Sequence, residues 1–148
     1  MRVHWTHLRR DERGAALLET ALALPLLLVV SVSIFEFGRA YQTMQVVTNA
    51  AREGARVAVL PGISDAMVTA RVQSYLTAGQ LSKNVTPTVS INRNTPISYG
   101  AGSAPGATVT VNYPFKFMFL NNVLKLVAKN PTAGNDFNMA SSATMRTE

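Results

Sequence analysis

The chain has no cysteine, which excludes disulfides and thiolate metal sites. Histidine is nearly as scarce. His4 and His7 are the only two, both within the first seven residues. Their i, i+3 spacing would suit a metal, but nothing beside them completes a ligand set. No Ser-His-Asp arrangement is then available further along the chain. Carboxylates are thin as well: beyond residue 60 there are only Asp65, Asp136 and Glu148, too scattered for a paired-acid site. Gly100-Ala-Gly102 is followed by neither a helix pattern nor a lysine, so it is no phosphate loop. Charged residues make up 15% of the chain and aromatics 7%. The net charge of +6 is dispersed, with no basic run beyond residue 14 and no aromatics interleaved with cations. Nucleic acid is therefore not an expected partner. No cofactor site is expected, and an enzyme is disfavoured. Asn84-Val-Thr86 spells a glycosylation acceptor, a tripeptide common by chance. No internal repeat is present.

The chain is rich in one thing, a long apolar run near its start. From Ala15 to Phe35 there are 21 residues whose only ionisable group is Glu19. As a helix this run would span roughly 31 Å, the thickness of a bilayer's hydrocarbon core. It is longer than the apolar region of a secretory signal and passes through Ser33, Glu36 and Arg39 into strongly helical sequence, so a retained anchor is expected. The leader 1–14 carries four arginines against two acids, and the first cation after the run is Arg39. The positive-inside asymmetry puts the N-terminus in the cytoplasm and residues 40–148 outside. Pro25 removes a backbone donor within the run and predicts a kink there.

Glu19 admits two readings. It lies about 6 Å along the helix from Ala15, near enough to an interface to snorkel towards headgroups. Alternatively, cleavage after Gly14 would create an amine at Ala15, and Glu19 of one chain would pair with that amine on a neighbour. Pairing would offset an insertion penalty of about 2.5–3.5 kcal/mol for an acid near a helix centre.

Gly14-Ala-Ala-Leu-Leu-Glu19 before an apolar run resembles the signal of type IV prepilins. Ala23-Leu-Pro25-Leu-Leu, Ile34-Phe-Glu36-Phe-Gly38-Arg39 and Ala50-Ala-Arg-Glu53-Gly-Ala-Arg56 resemble the TadE-like minor pilins, or pseudopilins, of tight-adherence (Flp) pilus systems. The likeness runs over about residues 9–60 and returns weakly over Ala140–Arg146. Major Flp pilins carry tyrosine after the glutamate, where this chain has Thr20, and they lack a large C-terminal domain. Many type IVa pilins carry phenylalanine where this chain has Ala15. These departures point to a minor component. The resemblance implies processing between Gly14 and Ala15, an assembly role for Glu19, and residence in the bacterial cytoplasmic membrane. Its implied partners are a prepilin peptidase, the pilus inner-membrane platform and other pilins. An uncleaved, signal-anchored extracytoplasmic binding module, using a loop at 93–106 for a ligand, is the alternative.

Nothing breaks the helical pattern before Pro61-Gly62, so one helix is expected over 15–60, about 69 Å long. Ala40, Met44, Val47, Ala51, Gly54 and Ala58 form a seam of mostly small residues along one face. It would pack against the protein's own outer domain, 61–148, or in an intermolecular coil. Ser64-Asp65 open a second helix with Val68, Val72 and Leu76 inward and Gly79 at its end. Alternation predicts strands near 85–92, 107–115 and 137–145, with Pro87 marking an edge. Residues 93–106, rich in Gly, Ser and Pro, read as a surface loop carrying Ile97 and Tyr99. Residues 118–129 read as an amphipathic helix that either lies on a membrane surface or, preferably, covers the sheet. The expected class is α+β: a long N-terminal helix, transmembrane over 15–35, packed on a three-stranded antiparallel sheet with short helices.

Overall fold

The computed structural model describes residues 12–81, 85–100, 102–126, 128–129 and 134–147. The leader arginines Arg2, Arg9 and Arg10, His4 and His7, Asn84, Val127 and Glu148 lie outside them. The order is α1 (Glu12–Ala58), α2 (Asp65–Ala78), β1 (Thr88–Tyr99), β2 (Gly102–Phe115), α3 (Leu120–Leu124) and β3 (Phe137–Arg146). The α+β class is as the sequence predicts, a long helix followed by a three-stranded antiparallel sheet.

Helix α1 has 47 residues and is about 70 Å long. It runs through Pro25 without a break. Its two halves differ sharply. From Gly14 to Phe35 no residue is buried, whereas from Glu36 onward one stripe is. Ala40, Val47, Ala51, Gly54 and Ala58 lie on that stripe with Thr43, Ala50 and Ala55, and Met44 borders it half-buried. The stripe packs on α2 and on strands β2 and β3 of the sheet. Small residues are needed there because two layers approach one helix. A β-carbon on Gly54 would lie 2.6 Å from Val72 Cγ2 of α2 and 3.0 Å from Val109 Cγ1 of β2.

Gly62, at φ +77°, turns the chain after α1. Ser64 then caps α2, accepting from the Met67 N–H at 3.4 Å. Val68, Val72 and Leu76 are fully buried, as their spacing predicts. The central strand β2 alternates strictly: Val109, Val111, Tyr113 and Phe115 are buried beneath the helices. Thr108 and Thr110 face the other way and bond across to β3, Thr108 to Thr144 and Thr110 to Ser142, each at 2.7 Å. Both neighbours of β2 are antiparallel to it, in the order β1-β2-β3.

Two expectations need correction. Residues 93–106 are not a loop. They belong to a hairpin in which Thr95–Tyr99 pair with Gly102–Gly106, and Gly100, at φ +53°, sits at the turn. The prolines that made the segment look irregular sit where a ladder tolerates them. Pro96 is on the edge strand β1 and Pro105 lies past the last β2–β3 rung, Gly106 with Arg146. The second correction concerns 118–129, where the helix is confined to Leu120–Leu124 and packs on α1 rather than covering the sheet. The Met118 and Phe119 N–H groups just ahead of it donate to a side chain of α1.

Gly54→Ala should therefore overpack the junction of α1, α2 and β2 and destabilise the outer domain by about 1–3 kcal/mol. A lowered thermal midpoint of the full chain in detergent, followed by the loss of sheet circular dichroism, is the check. An unchanged midpoint would show that Val72 and Val109 give way freely.

Candidate assembly helix and its buried carboxylate

The residues that the sequence singled out fall at two ends of one helix. Gly14, Ala15 and Glu19 share its exposed foot, whereas Ala40, Met44, Val47, Ala51, Gly54 and Ala58 lie on its packed upper half. Glu19 and Ala40 are separated by 21 residues of helix, about 32 Å, so the two groups form no common site. Along the apolar half the few hydroxyls bond back within the helix: Thr20 to the Ala16 carbonyl at 2.8 Å, Ser31 to Leu27 at 2.9 Å and Ser33 to Val29 at 2.7 Å. These bonds let polar side chains stand in an apolar run without stranding a donor.

The group that sequence reasoning missed is Glu36. Its side chain is fully buried, one residue past the end of the apolar run. Oε1 accepts from the Met118 N–H at 2.8 Å and the Phe119 N–H at 2.7 Å. Oε2 accepts from Arg39, at 2.9 Å from Nη2 and 3.3 Å from Nε. Arg39 also donates to the Lys116 carbonyl, and its guanidinium lies 4.3 Å from the centre of the Phe115 ring. A buried carboxylate held by a cation and two backbone donors is fully satisfied. The clamp ties the chain after β2 to the helix, 82 residues away from Glu36 in sequence. Phe115 belongs in turn to a cluster with Phe37, Phe117 and Phe137, whose rings meet edge-on or tilted with centroids 5.3–6.1 Å apart. The sequence offered the motif Ile34–Arg39 and the i, i+3 spacing of Glu36 and Arg39, which reads equally well as a surface pair.

Two further clusters fix the upper end. Arg93 of β1 donates to the Ala58 carbonyl at 2.6 Å and the Ile63 carbonyl at 2.8 Å, and meets Asp65 at 2.8 Å. One guanidinium thus satisfies the end of α1, the turn and the start of α2. Glu53 joins Arg56 of its own helix to Arg71 of α2, each at 2.8 Å. Hydrogen bonds from Arg56 and then Arg71 hold its carboxyl down at about 2 despite some desolvation. A cleft lined by Arg56, Arg93 and Arg146 opens beside this corner, but Arg56 and Arg93 are already paired there. Among the described residues no three His, Cys, Asp or Glu side chains converge as metal ligands.

Helix α1 is long and apolar enough to cross a membrane. Residues 14–56 match the family of TadE-like proteins. The chain carries a TadE-like segment. That segment lies wholly within α1 and includes Glu19, the Glu36–Arg39 clamp and Glu53. It does not reach the sheet, nor Ala140–Arg146, where a weaker likeness was expected. Comparison with curated proteins and with solved structures gives no match.

Glu36→Ala should strand the Met118 and Phe119 N–H groups, at about 1–3 kcal/mol apiece. Trypsin should then cut after Lys116 and Lys125 well before it attacks the hairpin, and Glu36→Gln, which keeps an acceptor, should fall between. Equal cleavage rates in all three proteins would show the clamp to be dispensable.

Proposed function

We propose that this TadE-like chain is a minor pilin or pseudopilin that serves the biogenesis or priming of a tight-adherence (Flp) type IV pilus. The observation that carries the reading is the stretch Gly14–Phe35 of α1, in which no residue is buried and Glu19 is the lone carboxylate, inside the segment that matches the family. A stretch of helix that is apolar on all sides and has no buried residue requires lipid or other helices around it. In this reading Ala15–Phe35 spans the bacterial cytoplasmic membrane, with the N-terminus in the cytoplasm and the sheet outside. A prepilin peptidase removes 1–14 by cutting between Gly14 and Ala15. Glu19 then selects the new amine of a neighbouring pilin within a helical bundle, and the inner-membrane platform receives the assembled unit. The upper seam from Ala40 to Ala58 serves the protein's own domain, which leaves the lower half for partners. An anchored binding module loses the loop on which it rested, since 93–106 is a paired hairpin.

Two outcomes test this reading. N-terminal sequencing of the membrane-purified protein should begin at Ala15, and Gly14→Leu should accumulate with its leader intact. An uncut wild-type chain in cells with active prepilin peptidase would refute it.

Glu19→Leu should be abundant, cleaved and membrane-bound, because it removes an insertion cost and touches nothing in the sheet. It should nevertheless lose crosslinking to partner pilins and fail to support piliation. Normal piliation in that mutant would make Glu19 a tolerated interfacial residue.

A further inference from the structure

The stripe that buries Glu36 continues downward. Val29, Val32 and Ser33 lie on the same face of α1, one and two turns nearer its foot, and all three are half-buried while Val30, Ile34 and Phe35 around them stay exposed. The element at hand to shade them is α3, which packs on α1 and whose lead-in residues are fixed to Glu36. The segment 116–126 is thus tied to α1 at Glu36, the level at which the apolar run ends. Its outward side is apolar: Met118 is 59% exposed, Phe119 51% and Leu126 68%. Phe35 and Phe37 are exposed on α1 on either side of Glu36, which holds Met118 and Phe119, and Phe37 meets Phe117 edge-on at 6.1 Å, so exposed apolar side chains of helix and domain stand at one level. Lys116 and Lys125 are exposed on the same segment, Lys116 with Asp136 at 3.9 Å.

We infer that 116–126 is an interfacial membrane contact. Met118, Phe119 and Leu126 enter the headgroup–acyl boundary of the bilayer that α1 crosses, and Lys116 and Lys125 meet the phosphates of anionic phospholipids. Continuity with the apolar run fixes the depth, since Glu36 sits one residue beyond Phe35 and holds Met118 and Phe119 at that level. Charge complementarity fixes the lipid class, because basic side chains beside a shallow apolar patch favour an anionic surface. An exposed apolar patch of this kind is otherwise unfavourable in water. The inference rests on reading Ala15–Phe35 as a membrane span. It adds a second contact with lipid, made by the outer domain itself.

The absence of cysteine makes the test direct. Full-length chains bearing Phe119→Cys, Leu126→Cys, Leu24→Cys or Tyr99→Cys are labelled with a polarity-sensitive fluorophore. Each is reconstituted into vesicles of phosphatidylcholine with phosphatidylglycerol, containing nitroxide lipids at shallow or deep positions. Labels at Phe119 and Leu126 should emit blue-shifted light and lose most of their intensity to the shallow nitroxide. The label at Leu24 should respond to the deep one, and that at Tyr99, by the hairpin turn, to neither. Adding Lys116→Glu and Lys125→Glu to the Leu126→Cys chain should weaken the shallow quenching. Aqueous labels at Phe119 and Leu126 beside a deep Leu24 label would overturn the inference and leave the span intact. An aqueous Leu24 label would overturn both. Labels shielded from water yet untouched by nitroxide would assign the patch to a protein partner and overturn the lipid contact.

Discussion

A single buried carboxylate joins the two halves of this molecule. Below Glu36 no described side chain of the helix is buried; above it the helix is one wall of a packed domain. Burying a charge is costly unless every lone pair finds a donor, and here Arg39 and the Met118 and Phe119 N–H groups supply them. The bond is worth more as a constraint than as energy. It sets where the chain leaving β2 meets the helix, and hence where the sheet begins above the apolar run. The buried Phe115 ring beneath the Arg39 guanidinium lowers the polarity on that side, which strengthens those contacts.

Above that point the packing follows from size. Alanines and a glycine on one stripe of α1 let α2 and the sheet come close on adjacent sides, and the valines of α2 and β2 fill the resulting gap. Arg93 then closes the top by satisfying carbonyls that a helix end would otherwise leave exposed. The polar groups at both ends of the domain are thus consumed by the fold itself. Among the described residues nothing in that arrangement gathers a catalytic set, and the least committed surface is the lower helix.

Much of this was legible in the sequence. Strict alternation in Val109–Phe115 and the i, i+4 spacing of Val68, Val72 and Leu76 report burial directly, because one face of each element meets the core. The Ser64 cap and the Pro61-Gly62 stop were equally local signals. What was hidden depended on partners distant in sequence. Residues 93–106 have the composition of a loop, and only cross-strand pairing makes them a hairpin. Arg93 looks like an ordinary surface cation until the corner of α1 and α2 is folded beneath it. Glu36 is hidden for the same reason, since its donors are backbone N–H groups that no side-chain pattern announces. The seam at Ala40–Ala58 was visible as small residues, but whether it faced its own domain or another chain was not.

The unbroken course of α1 also fixes an azimuth. Seventeen residues separate Glu19 from Glu36, and at about 100° per residue their side chains leave the axis roughly a quarter turn apart. The domain therefore overhangs one flank of the rod, while the lower carboxylate looks out along another. A body approaching that carboxylate head-on slides in beside the domain rather than beneath it. Because the helix does not break at Pro25 or at the surface of the domain, turning the foot about its axis swings the whole sheet through the same angle.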